Sequence, residues 1–214
     1  IDRSYYLIGE SDFGKVRQVM SLMPSFQVGN ISSYEYTDAY FETPEYFLRE
    51  INATVRVRKE PTKQTLSIVC NNLGERREFE TEMKLGDDIT DDDKYLLFLE
   101  DKIQSIYTHK LDVDVIRVLH HLKPFLTFTT NRKVHEILDN REFKAEVDFD
   151  TTYFHTKRND EVKYIIEIKP RCFLTQENEA SFERFVREIE KRVVMIPMGE
   201  KKLDAGMRVF KREW

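Results

Sequence analysis

The chain has 214 residues, 40% of them hydrophobic and 12% aromatic, enough apolar side chain to build a folded core and to exclude wholesale disorder. A formal net charge of -5 does not favour nucleic acid or an anionic membrane as partner, although it is compatible with a local basic pocket. No stretch approaches the 18 or so apolar residues of a membrane-spanning helix, and the only cysteines, Cys70 and Cys172, are too far apart for a CxxC metal pair, which points to a reducing, cytoplasmic setting.

The hydrophobic pattern predicts a strand over Ile1–Ile8. A capped amphipathic helix follows over Ser11–Leu22, then an alternating strand over Ile31–Phe41 that Thr43-Pro44 ends. Strands are expected at Thr54–Glu60 and Thr65–Cys70, with KEPTKQ between them, and at Arg77–Lys84. An acidic loop, Asp87–Asp93, leads into helices over Lys94–Tyr107 and Val113–His121, a helical insertion near 88–122. Further strands are expected at Phe125–Leu138, Phe143–Phe149 and Val162–Lys169, then an amphipathic helix near 177–194 and a short tail. Many antiparallel-looking strands with a few helices imply an α+β fold or a barrel with helices outside. There is no G-x-G-x-x-G and no Walker A, and only 7 glycines occur, which disfavours dinucleotide-binding and P-loop folds.

Strand parity puts charge on single faces. Arg56 and Arg58 share one side, as do Glu78, Glu80 and Glu82, then Glu146, Asp148 and Asp150, then Asp2 and Ser4, and also Glu167 and Lys169. The residues between them, Val57, Phe79, Val147, Phe149 and Ile168, are apolar. A solvated face explains any one such strand. Five together are better explained by a closed barrel with a charged lumen, because like charges stacked along a strand repel unless something is placed between them. Arginines suit phosphate oxygens, and carboxylates suit Mg2+ or Mn2+.

Several segments, in order, resemble the CYTH family, the triphosphate tunnel metalloenzymes. YFETPEYFLREINATVRVRKE is similar to the family's YYDTP…LRxR segment through Tyr40, Thr43, Pro44, Leu48, Arg56 and Arg58. RREFETE resembles the RxExE strand through Arg76, Glu78 and Glu80, and TTNRKVHEI the basic strand through Arg132. AEVDFDTTYF is similar to the VDLDTADF strand of thiamine triphosphatases through Asp148 and Asp150. YIIEIKP resembles the late acidic strand through Glu167 and Lys169, and EKKLDAGM the closing segment through Lys202. The resemblance implies a single tunnel domain over 1–214 built on an eight-stranded closed barrel. It implies Arg56, Arg58, Arg76, Arg132, Lys169 and Lys202 as phosphate-binding residues. Asp2, Glu78, Glu80, Asp148 and Glu167 are implied as ligands of Mg2+ or Mn2+, with Glu80 and Asp148 as the catalytic pair and Asp150 and Glu146 behind them.

The departures matter too. Asp2 and Ser4 stand where the family's N-terminal ExExK has its second glutamate and its lysine, Val69 where a later strand has lysine, and Ile165 at an acidic position. The implied activity is metal-dependent hydrolysis of a small triphosphate compound: inorganic triphosphate, thiamine triphosphate or a nucleoside triphosphate. The alternatives are a non-catalytic nucleotide- or polyphosphate-binding tunnel protein, which the lost lysines favour, and a class IV adenylate cyclase. The expected partner is a small triphosphate-containing molecule, with no nucleic acid and no membrane, the protein being a monomer or homodimer. His120-His121 reads as ordinary surface or core, His135 as a packing residue, and DDITDDD as a solvated helix start rather than a calcium loop.

Overall fold

A computed structural model describes residues 2–72, 74–107, 113–139, 143–155, 160–172, 175–199 and 202–211, with side chains described as far as Arg208. Ile1, part of the first expected strand, and 108–112, inside the expected helical insertion, lie outside the described residues. In chain order the elements are β1 (Arg3–Leu7), α1 (Ser11–Ser21), β2 (Phe26–Glu42), α2 (Phe47–Glu50), β3 (Ala53–Lys59), β4 (Gln64–Asn72) and β5 (Glu75–Met83). There follow α3 (Asp93–Ile106), α4 (Val115–Leu119), β6 (Lys123–Asp139), β7 (Lys144–Phe154), β8 (Glu161–Pro170), α5 (Gln176–Glu190), β9 (Ile196–Pro197) and α6 (Lys202–Lys211). The class is α+β, with antiparallel ladders throughout the described pairings. The strand order β5-β4-β3-β2-β6-β7-β8-β1-β9 ends on β5 and on β9, so among the described residues no ladder closes a barrel. No described helix is long and apolar enough to cross a membrane.

The chain forms two compact units, 1–35 with 129–214, and 36–128. In the first, β8 pairs with β7 on one side and β1 on the other, in a register that sets Asp148 beside Glu167 and Glu167 beside Ser4. One face of this sheet is apolar: Val147 and Phe149 of β7 pair with Ile168 and Ile166 of β8, all buried. Helix α5 covers it because Phe182, Phe185, Val186 and Ile189 recur at helical spacing and form one stripe. Thr175 caps this helix by accepting from the Asn178 amide at 3.2 Å, and Glu177 and Glu179 in the first turn complement the helix dipole. Helix α1 adds Phe13, Val16, Val19 and Met20 to the same core, with Phe13 edge-on to Phe149 at 5.3 Å.

In the second unit β3 lies between β2 and β4, and β5 pairs with the far side of β4. Val55, Val57, Leu66, Ile68 and Cys70 make the apolar face, against Leu96, Leu99 and Ile103 of α3. Asp92 caps α3 by accepting from the Lys94 amide at 3.0 Å. Cys70 and Cys172 are both free thiols.

Several boundaries differ from the sequence reading. β2 starts at Phe26 rather than Ile31. Gly29-Asn30 looks like a breaker, but a Cβ at Gly29 would lie 3.3 Å from Leu138 Cδ1, so the glycine serves a close approach inside a strand. β7 runs on to Phe154, and α5 stops at Glu190. The single turn α2 was not expected. It is held by Glu42, whose carboxylate accepts from the amides of Thr43, Leu48 and Arg49 at 2.8, 3.0 and 3.0 Å. Helix α6 replaces the expected short tail.

Candidate active site

The face of the first unit's sheet opposite its core carries a dense ion-pair cluster. Asp148 and Asp150 of β7 and Glu167 of β8 project there by strand alternation, and Arg132 of β6 lies among them. Arg132 Nη1 donates to Asp148 at 2.7 Å, Nε and Nη2 donate to the two oxygens of Asp150 at 2.7 and 2.6 Å, and Nη2 reaches Glu167 at 2.9 Å. The Asp150 contact is the two-pronged geometry that a guanidinium favours. Lys169 Nζ bonds Asp148 at 2.6 Å and Glu167 at 3.0 Å. Lys202, in the first turn of α6, bonds Asp150 and lies 3.4 Å from Glu167. Both aspartates are 0% exposed and Arg132 only 8%. On the same face, Thr130 and Thr152 join their hydroxyls at 3.0 Å, and Arg171 pairs with Glu146 at 2.7 Å.

Burial and charge act in opposite directions here. Complete burial pushes the Asp148 carboxyl up to about 6, against the pull of Arg132 and Lys169. Burial also works against ionised Glu167, but Lys202, Arg132 and Lys169 together outweigh it and hold that carboxyl down at about 2. Lys169 is raised despite its burial, by Glu167 and Asp148. One oxygen, Asp148 Oδ1, is buried with no hydrogen-bond partner.

The second unit carries a smaller cluster. The ladder aligns Tyr40, Arg56, Ser67 and Glu80 in one row, and Asp38, Arg58, Thr65 and Glu82 in the next. Asp38, 1% exposed, takes both prongs of Arg58 at 2.7 Å, and the Arg58 guanidinium lies 4.1 Å from the centre of the Tyr36 ring. Arg56 donates through Nε to Ser67 at 3.1 Å, and its Nη2 is 3.5 Å from Glu80 and 3.8 Å from Glu78. Arg76 pairs with Glu78 at 2.8 Å on the exposed edge strand.

Among the residues expected from the sequence, Arg132, Asp148, Glu167, Lys169 and Lys202 meet in the first unit. Arg56, Arg76, Glu78 and Glu80 meet in the second. Asp2 is exposed, and its charge acts on Arg171. Asp150 is a direct partner of Arg132 and Lys202, not a residue behind the cluster. Asp38, which fixes Arg58, was missed by the sequence reading, although an aspartate inside the aromatic strand YEYTDAYF was the available signal. Among the described residues, no three His, Cys, Asp or Glu side chains are arranged to hold a metal ion, since the carboxylates turn to cations instead.

The ladder also places the departures from the family pattern. Val69 sits opposite Thr54 and Glu78, on the face of Arg56 and Ser67. Ser4 is beside Glu167, and Ile165 is beside Asp150 and Tyr6.

The CYTH domain model matches residues 7–169. This chain belongs to the CYTH family. Among solved structures, a putative adenylyl cyclase from Hippeastrum, described as having a dominant triphosphatase activity, superposes with a TM-score of 0.62 at 17% identity, covering 99% of this chain and 95% of that one. A putative adenylate cyclase from Bacillus halodurans gives 0.51 at 15% identity, covering 96% and 95%. At these identities the likeness is one of fold. A comparison with curated proteins finds no match.

Proposed function

We propose that this CYTH protein hydrolyses the terminal phosphoanhydride of a small triphosphate compound with the help of a divalent cation. The observation that carries the reading is the buried cluster of Arg132, Lys169 and Lys202 with Asp148, Asp150 and Glu167. A protein gains little stability from burying so many charges, since desolvation offsets most of the attraction. The triphosphatase activity described for the Hippeastrum protein supports the same reading.

The three cations would hold phosphoryl oxygens and offset the charge that develops as the bridging P–O bond breaks and water adds to the terminal phosphorus. They already lie in a dry setting, where each contact acts more strongly than in water. The donor set fits a hard cation: three carboxylates, one with an unpartnered buried oxygen at Asp148 Oδ1. Asp148 and Glu167 would hold Mg2+ or Mn2+, which when bound polarises the phosphoryl group. This is the sense in which Asp148 is catalytic. The same reading assigns Arg56, Arg58 and Arg76 to phosphate and Glu78 and Glu80 to metal.

One observation favours a second reading, a triphosphate-binding protein without turnover. Val69, Ser4 and Ile165 put two uncharged groups and a hydroxyl on the charged faces, where the family pattern has lysines and an acid. The test is phosphate release from tripolyphosphate, thiamine triphosphate, ATP and GTP with Mg2+ or Mn2+, beside Arg58→Ala and Lys169→Ala, with cyclic AMP assayed in the ATP samples. Metal-dependent release that falls in both variants supports hydrolysis. Binding of a triphosphate without release supports the second reading. Cyclic AMP without free phosphate overturns both.

A further inference from the structure

A cavity lies on the other face of β6 and β7 from the carboxylates of the ion-pair cluster. Its volume is about 470 Å³, a size typical of small-molecule sites. Strand alternation separates the two: Asp148 and Asp150 point one way, Phe149, Thr151 and Tyr153 the other. On β6, Asn131, Lys133 and His135 line the cavity and Arg132 borders it, along with Arg17 of α1.

His135 is 4% exposed, and its ring stacks edge-on against Phe149 at 4.9 Å. Its Nδ1 has no hydrogen-bond partner. A buried ring nitrogen left without a partner is rare enough to need a reason. Among the described residues, Arg17 and Lys133 form no ion pair, and both are exposed. The charges that act on His135 come from these two cations, which, after burial, further lower its pKa. Its ring therefore lies in a locally positive corner. Glu10 and Glu35 line the cavity too, and neither is paired with a cation among the described residues. Phe13, Phe149 and Tyr153 supply aromatic walls.

We infer that this cavity binds a small ring-bearing oxyanion, with its anionic group at the corner formed by Arg17, Lys133 and His135 and its ring along the aromatic wall. The two glutamates suit hydrogen-bond donors such as an exocyclic amine at the other end. A nucleoside monophosphate with an amino-substituted base has all three features. The site does not depend on triphosphate hydrolysis; Arg132 also borders the cavity, but its guanidinium is engaged by Asp148, Asp150 and Glu167.

The test follows the histidine ring signals of the full chain by NMR during titration with AMP, adenosine and inorganic phosphate, the His135 signals being identified by their loss in His135→Gln. The expected result is a saturable shift with AMP, a weaker one with phosphate, and none with adenosine alone. Arg17→Ala and Lys133→Ala, both at exposed positions, should each weaken AMP by about tenfold, as expected for loss of one hydrogen bond to a charged group. Arg58→Ala should leave the shift in place, and both Arg17→Ala and Lys133→Ala should keep any triphosphate turnover. No shift at millimolar AMP, an equal shift with adenosine, or a shift that survives the double Arg17/Lys133 variant would overturn the inference. So would a shift that Arg58→Ala abolishes.

Discussion

Replacing Arg132 with methionine keeps much of the side-chain volume and removes the guanidinium. Three carboxylates then remain for two ammonium groups, Lys169 and Lys202, and Asp148 and Asp150 are fully buried. Removing one partner from a buried ion pair typically costs about 3–5 kcal/mol, because the charge left behind is uncompensated. For a chain of 214 residues that corresponds to a fall in thermal midpoint of about 6–20 °C. The loss should shrink in acid. The Asp148 carboxyl, already high at about 6, rises further without Arg132, and once protonated it needs no partner. The assay is thermal and urea unfolding of wild type and Arg132→Met at pH 7 and pH 5, with Arg76→Met as the exposed control. That control should change stability by under about 1 kcal/mol. A loss below about 1 kcal/mol for Arg132→Met at pH 7, with no recovery at pH 5, would refute the idea that this cluster is dry.

Two further predictions concern single carboxylates. Asp148 has a folded-state pKa above the ordinary 3.8, so its ionisation makes wild-type stability fall as pH rises from about 4 to about 6, whereas Glu167, lowered from 4.5 to about 2, makes stability fall as pH drops through that lower range. Asp148→Asn should abolish the first slope and keep the second in a series of midpoints against pH, and an unchanged slope between pH 4 and 6 would show that Asp148 is not its source. Asp38→Asn removes the charge that holds both prongs of Arg58, which should lower stability by about 2–3 kcal/mol in urea unfolding, and a change near zero would mean that the Arg58 contact is solvated.

Parity carried most of what the sequence revealed. Alternation along VDFD and IIEIK placed Asp148, Asp150 and Glu167 on one face and Val147, Phe149, Ile166 and Ile168 on the other, and the ladder agrees. What alternation leaves open is which strands neighbour one another and what each charge meets. Arg58 is expected to meet phosphate, and alternation does not reveal that it is held by Asp38, twenty residues earlier in the chain, and lies over the Tyr36 ring. Helix α6 is short and follows a Gly199 that reads as tail, yet it delivers Lys202 to the cluster. Pairings of this kind are set by tertiary contacts rather than by local periodicity. Gly29 and the single turn α2 escaped for the opposite reason: each depends on one contact, a close approach to Leu138 or a carboxylate cap from Glu42.

The charge count of the buried cluster constrains what can bind there. Arg132, Lys169 and Lys202 balance Asp148, Asp150 and Glu167 one for one, and each cation is already engaged. An anion that takes one of these cations releases a carboxylate oxygen in a dry place, where an unpaired charge is strongly unfavourable. That oxygen must find a proton or another cation. A triphosphate that arrives with a divalent cation meets the requirement, and one that arrives alone does not. On this argument, anion affinity at the cluster should depend on divalent cation far more steeply than a surface cluster of arginines would, whether or not hydrolysis follows. In the second unit Arg58 is under the same constraint, since it holds buried Asp38, whereas Arg56 is only loosely engaged by exposed Glu80 and can turn to an incoming oxyanion without stranding a buried charge.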